Sequence, residues 1–131
     1  MNEALEGKVY PPVGFTVTQA HTESFARVVG QAQDGGVSPV FPTAAEFAAL
    51  GRVIGDRELD LDFDRVVHGE QEYVYRRPLA VGDELVVVSR IAQIRSKGAL
   101  GFCTIETELR DGSGEVVVVA RNTLVERGGA G

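Results

Sequence analysis

The residues best suited to acid–base chemistry stand together in the segment His68-Gly69-Glu70. A histidine changes its charge near neutral pH, so His68 could serve as a general base or in proton transfer. Gly69 would let a ligand or another stretch of backbone approach closely. In a regular strand Glu70 shares a face with His68, with about 7 Å between their backbones. The segment therefore predicts a candidate catalytic pair, His68 and Glu70, with Gly69 in a substrate-binding position.

An ordinary interpretation of each residue stays open beside the functional one. His68 also suits a hydrogen-bonded or hydrated position near the end of a strand, and with Glu70 it would form a surface ion pair. Asp64 is a poorer partner for His68, because four residues of extended strand span about 13 Å. Tyr73 shares a predicted strand face with Tyr75 and would either pack in the core or bind substrate in the wall of a tunnel.

Composition excludes several classes of function. The chain has 131 residues and a net charge of −6, which predicts that nucleic acids and anionic membranes are not its partners. Cys103 is the only cysteine, so no intramolecular disulfide is available, and it fits a buried structural thiol. Together with an N-terminus that lacks the features of a secretory signal, this predicts a cytoplasmic protein. With only two histidines we expect no metal site and no cofactor.

Two helices are predicted in the first half of the chain. Thr18 is placed to cap a helix that Gly30 would end. Farther along, Thr43 and Glu46 have the spacing of a capping box, in which each side chain bonds the other residue's backbone N–H. The apolar stretch behind them predicts a buried helix over Thr43–Ile54. Its expected core face carries Phe47, Leu50 and Ile54.

The second half of the chain predicts an antiparallel sheet. The predicted strands are Val66–Arg76, Glu84–Arg95, Ala99–Arg110 and Glu115–Val125. Some of these strands are apolar on both faces, although one face would suffice to cover a helix. That pattern predicts a partner subunit over the second face. The fold class expected from these elements is α+β.

The stretch "HGEQEYVYRRPLAVGDEL" resembles the middle of the MaoC-like, or FAS1-like, dehydratase N-terminal domain, with Pro78 and Gly82-Asp83 at the turn. Gly7–Val17, Phe25–Gly30 and the segment "SPVFP" resemble the parts of that domain that precede its central helix. The resemblance covers most of the chain and implies one domain over residues 1–131. It implies a hot-dog fold, in which a long antiparallel sheet wraps around a central helix.

The resemblance also implies chemistry on acyl thioesters carried by coenzyme A or acyl carrier protein. The implied activity is that of an (R)-specific enoyl-thioester hydratase, or 3-hydroxyacyl-thioester dehydratase, which adds water reversibly to a trans-2-enoyl group. Relatives include single-domain subunits that pair with a catalytic sister chain. The expected assembly is a homodimer or a heterodimer with another hot-dog subunit.

One departure from the family pattern falls at its catalytic residues. Active members carry an aspartate and, five positions later, a histidine, between the first helix and the central helix. In this chain the only carboxylate of that loop is Asp34, and Pro39 stands five positions after it. Thr16 and Phe63 occupy the positions five residues before the two histidines. The aspartate–histidine dyad is therefore absent from the sequence.

Four functions stay open at this point. The first is a hydratase half or subunit that supports a partner carrying the dyad. The second is an enzyme in its own right that uses His68 with Glu70 or with a carboxylate across a dimer interface. The third is a hot-dog acyl-thioesterase, for which Glu46 is the only carboxylate candidate on the central helix, although the capping box already explains it. The fourth is a non-enzymatic acyl-CoA-binding protein.

Overall fold

The computed structural model describes residues 1–30 and 36–128, so Asp34 lies outside the described residues. The helices are α1 (Gln19–Val29) and α2 (Pro42–Ile54). The strands are β1 (Val13–Thr16), β2 (Val66–Tyr75), β3 (Glu84–Lys97), β4 (Leu100–Arg110) and β5 (Val116–Arg127). Neither helix in these ranges is long and apolar enough to cross a membrane.

The five strands form one antiparallel sheet in the order β1-β3-β4-β5-β2. Strands β1 and β2 therefore lie at its two edges. Helix α2 packs on one face of the sheet, which we call the inner face. A sheet wrapped around a central helix confirms the α+β hot-dog fold expected from the sequence. The four predicted strands are confirmed to within two residues at each end, whereas β1 was not predicted.

Helix α1 begins and ends at the predicted residues. The Thr18 side chain accepts a hydrogen bond of 3.2 Å from the backbone N–H of His21, as an N-cap residue should. Gly30 ends the helix with a φ of 74°, in the left-handed region that favours glycine. Both ends of α1 are therefore determined by local side-chain and backbone chemistry.

Helix α2 differs from its prediction at its start and on its buried face. It begins at Pro42, whose fixed φ suits the first helical turn, and it has no side-chain cap. The predicted capping box is wrong, because the earlier start places Thr43 and Glu46 inside the helix. The face against the sheet runs through Ala45 and Ala49, which are at most 2% exposed. Phe47, expected in the core, is 55% exposed.

The core lies between α2 and the inner face and divides along the helix axis into two clusters. Ala45 and Ala49 belong to the first and Leu50 and Val53 to the second. Small side chains in the first half of α2 let its backbone approach the sheet closely. The sheet residues of the second cluster include Ile91, Ile94, Cys103, Ile105 and Leu124.

The turn between β2 and β3 explains the Pro78 to Asp83 motif physically. Gly82 has a φ of 99°, which side chains other than glycine rarely adopt. The Asp83 carboxylate accepts hydrogen bonds from the Arg77 guanidinium at 2.9 Å and from the backbone N–H of Ala80 at 2.8 Å. These contacts join the two strands and fix where β3 begins.

A β-bulge at Gly69 interrupts the pairing of β2 with β5. His68 lies opposite Leu124 and Glu70 lies opposite Thr123, so Gly69 is an extra residue without a partner position. An extra residue reverses the alternation of side chains between the two faces. His68 therefore lies on the inner face and Glu70 on the outer face.

The bulge yields a test of stability with a matched control. A Cβ added at Gly69 would lie 2.8 Å from Cγ2 of Val125, whereas one added at Gly14 in β1 meets nothing within 4 Å. We expect Gly69→Ala to lower the free energy of unfolding by about 1–3 kcal/mol through overpacking. Gly14→Ala should leave it unchanged or raise it by a few tenths of a kcal/mol. Urea denaturation measures both, and equal stabilities for the two variants would contradict the assigned bulge geometry.

Candidate functional site

His68 lines a groove between helix α2 and the edge of the sheet. The groove has a volume of about 390 Å³. Its other lining residues are Phe47, Leu50, Gly51, Ile54, Phe63, Val66, Asn122 and Leu124. Most of these are apolar, and His68 and Asn122 are the polar exceptions. An apolar groove with few polar groups suits a hydrocarbon chain that ends in a polar function.

Glu70 and Gly69 do not belong to this groove. They line a depression of about 520 Å³ on the outer face, together with charged residues such as Arg95 and Arg121. The prediction that Glu70 shares a face with His68 is wrong, because it assumed a regular strand and the bulge reverses the alternation. The role of Gly69 that the structure explains is the bulge itself, where a Cβ would come within 2.8 Å of Val125 Cγ2.

A row of polar contacts joins α2 to the inner face of β2. The Tyr73 hydroxyl bonds the Thr43 hydroxyl, and one turn farther along the helix Gln71 Nε2 donates to Glu46 Oε2 at 3.2 Å. Asn122 on β5 lies opposite Gln71. Tyr73 is partly buried and does not line the His68 groove. Its substrate-binding role stays a prediction.

Glu46 is a functional candidate whose predicted role was that of a capping-box residue. Its side chain is fully buried, although carboxylates seldom are. Burial raises the pKa of Glu46 to about 7, against the opposing effect of the hydrogen bond from Gln71. A carboxyl group that titrates near neutral pH is suited to proton transfer. The sequence signal was a glutamate in a largely apolar helix, and the capping-box spacing concealed it.

Cys103 is fully buried within the second core cluster. Burial raises the pKa of its thiol to about 11, so the thiolate that nucleophilic chemistry needs is disfavoured. The expectation of a buried structural thiol is confirmed.

Comparison with known proteins places this architecture in a family. The model of the FAS1-like dehydratase domain region matches residues 20–120. The chain belongs to this family. The UPF0336 protein SCO4636 of Streptomyces coelicolor is 36% identical, over 97% of this chain and 95% of its own.

The similar solved structures include the following two, which share the hot-dog fold. A MaoC-like dehydratase superposes with a TM-score of 0.82 at 22% identity, over 98% of this chain and 44% of its own. This chain therefore corresponds to less than half of that longer polypeptide. The second is the C-terminally truncated HadBC complex, a 3R-hydroxyacyl-ACP dehydratase from Mycobacterium tuberculosis. It gives a TM-score of 0.75 at 20% identity, over 92% of this chain and 96% of that chain.

The buried carboxyl predicts a distinctive pH dependence of stability. Glu46 should ionise near its ordinary pKa of 4.5 in the unfolded chain and near 7 in the folded protein, so the folded state holds the extra proton between these values. Its contribution to the free energy of unfolding then falls as pH rises through that window, by about 2–3 kcal/mol between pH 5 and pH 8. Glu46→Gln should remove this decline and be the more stable protein at pH 8.

Urea denaturation of wild type and Glu46→Gln at several pH values provides the measurement. Glu72→Gln is the control, because Glu72 is exposed on the outer face, and it should follow the wild-type profile. Parallel profiles for wild type and Glu46→Gln would show that the buried carboxyl does not titrate as described.

Proposed function

We propose that this chain is a hot-dog subunit acting in the hydration of enoyl thioesters, or the reverse dehydration of 3-hydroxyacyl thioesters, with a partner that carries the aspartate–histidine dyad. The observation that carries the proposal is the His68 groove, which is largely apolar yet has no carboxylate among its described lining residues. It suits an acyl chain but lacks the second group of an acid–base pair. Membership of the dehydratase family supports the same substrate class.

In this proposal the groove holds the acyl chain while the partner supplies the dyad. Each CH₂ group removed from water contributes about 0.8 kcal/mol to binding. His68 is exposed at the groove and lies near the thioester, where it binds the carbonyl or exchanges a proton with the substrate. Hydration adds a proton and a hydroxyl across the C2–C3 double bond, and dehydration removes them.

The partner is proposed to lie along strand β2. This strand is at the edge of the sheet, where backbone groups are free to pair with another chain. Phe47, Phe63, Val67 and Val74 expose large apolar surfaces on or beside it. A second hot-dog subunit, either identical or different, would cover these side chains. The assembly is proposed to lie in the cytoplasm. The MaoC-like dehydratase chain is about twice as long as this chain, which supports a pairing of two such domains.

A thioester hydrolase is the second candidate, because the capping box no longer explains Glu46. The buried carboxylate would accept a proton from water as the water attacks the thioester carbonyl, and the carrier thiol would leave with a proton. Release of free thiol from acyl-CoA by the chain alone, abolished in Glu46→Gln, would favour this function over the first.

The test of the first function is the hydration of crotonyl-CoA and of a longer enoyl-CoA. The chain is assayed alone and with a separately supplied hot-dog protein that carries the aspartate–histidine dyad. We expect activity in the mixture and little from the chain alone. His68→Ala should lower turnover in the active mixture by about 10²–10⁴-fold if His68 is a positioned base. Glu70→Gln should keep wild-type turnover, because Glu70 lies on the opposite face.

Three results would count against this assignment. Wild-type turnover and substrate affinity in the His68→Ala mixture would make His68 structural. Full activity of the chain alone would favour an independent enzyme. Binding of acyl-CoA without any turnover, in either arrangement, would favour the non-enzymatic binder.

A further inference from the structure

A row of alternating charges crosses the outer face of the sheet. It begins with Glu72 on β2, which lies opposite Arg121 on β5. Arg121 in turn lies opposite Glu106 on β4, and Glu106 lies opposite Arg90 on β3. We call these four residues the charge row. Its signs are negative, positive, negative and positive, so the row is neutral in a chain whose net charge is −6.

Ion pairs hold the charge row in place without exhausting its arginines. Arg90 Nη2 lies 2.8 Å from Glu106 Oε1, and Arg121 Nη1 lies 3.7 Å from Glu106 Oε2. Both arginine side chains remain almost half exposed. A guanidinium group carries five N–H donors, more than these contacts use. Each arginine can therefore also bond a carboxylate that lies above the sheet.

Apolar side chains flank the charge row on both sides along the strands. On one side Val74 lies opposite Val119, and Val74 is 50% exposed. On the other side Phe102 lies opposite Val125, and both line the outer-face depression. An exposed face that carries apolar side chains on either side of a neutral charge row is suited to contact another protein surface.

The outer face is large enough for a stable interface. Strands β2, β5, β4 and β3 lie side by side and together span about 19 Å. Over the ten residues of β2 the face is about 34 Å long. Two such faces in contact would cover about 1,300 Å², above the roughly 1,000 Å² expected of a specific interface.

We propose that the outer face docks a second copy of this chain, related by a two-fold axis that runs parallel to the strands between β4 and β5. This axis reverses the strand order in the second copy and so reverses its charge row. Glu72 then faces Arg90 of the second copy, and Arg121 faces Glu106 of the second copy. Positions along the strands are kept, so each apolar flank meets the same apolar flank.

The alternation of charges selects this axis over the other one that brings two outer faces together. A two-fold axis that runs across the strands keeps the strand order, so it would place Glu72 against Glu72 and Arg121 against Arg121. Like charges across an interface oppose association. Sheets packed face to face keep their strand directions within about 30°, so the match is closest at the centre of the row, beside the axis.

This contact goes beyond the proposed function and uses a different surface. The hot-dog partner proposed above lies along the edge strand β2, whereas the second copy covers the face of the sheet. Both contacts can form at once and would join two such pairs back to back. The His68 groove lies between α2 and the edge of the sheet, on the inner side, and stays uncovered by this contact.

Charge exchange between two variants tests the proposal, because it can restore association as well as break it. In Arg121→Glu the new carboxylate faces Glu106 of the second copy, and in Glu106→Arg the new guanidinium faces Arg121 of the second copy. Self-association of either variant should fall by about 100-fold or more. An equal mixture of the two variants restores opposite charges at every position and should associate as wild type does.

Sedimentation velocity over a series of protein concentrations measures the mass of each sample. Each variant alone should have half the wild-type mass at concentrations where the mixture has the full mass. Arg27→Glu is the control, because Arg27 lies exposed on α1 and undergoes the same change of charge, and it should keep the wild-type mass.

Two results would overturn the proposal. The first is equal mass for wild type and both variants at every concentration, which would leave the proposed function, with its partner along β2, unaffected. The second is a mixture that stays at the mass of the separate variants. If circular dichroism shows that either variant does not fold, Glu72→Arg and Arg90→Glu replace the pair, because the same axis places these two residues opposite each other, and the same masses decide.

Discussion

The packing of helix α2 on the inner face of the sheet is the contact on which the rest of this structure depends. Ala45 and Ala49 allow the close approach, and they do so on the same stretch of helix that carries Glu46. The helix can bury its apolar face only by taking this carboxyl group out of water. Burial of a charged carboxylate is costly. The hydrogen bond from Gln71 reduces this cost, and the pKa raised to about 7 lets the group take up a proton and become neutral.

The bulge at Gly69 determines which residues share this interior with Glu46. Without the extra residue, a strand that presents His68 to the groove would turn Gln71 outward and Glu70 inward. With it, His68 and Gln71 both face α2, and the acidic side chains of Glu70 and Glu72 face the outer depression. One glycine thereby keeps two negative charges away from an apolar groove and supplies a neutral amide to the buried carboxyl.

The sequence predicts those parts of the structure that local chemistry determines. Thr18 and Gly30 delimit α1 because capping and left-handed backbone act within one helical turn. The four long strands follow from alternation and from turn residues. The short strand β1 was missed, because its four residues are ordered by pairing with β3 and show little pattern of their own.

The candidate site was only partly predictable, because its arrangement depends on contacts between distant segments. His68 was identified from its residue type, and the structure places it at a groove. The predicted pairing of His68 with Glu70 was wrong, since the register with β5 makes Gly69 an extra residue. The glycine within the predicted strand was the sequence signal of that bulge. Glu46 and Asn122 are separated by most of the sheet in sequence. Nothing local indicates that both lie beside Gln71, which bonds Glu46 and pairs with Asn122, and the capping-box pattern at Glu46 indicated a different role.

The central claim is that the groove between α2 and β2 receives the acyl chain of a thioester. Photolabelling with an acyl-CoA that carries a diazirine at the end of its chain tests this most directly, with the labelled peptides identified by mass spectrometry. The account predicts labels on the groove residues of 47–54 and 63–68, and protection of them by excess unlabelled acyl-CoA. Labels confined to the outer-face depression around Arg95 and Phe102, or labels that excess acyl-CoA does not displace, would contradict it.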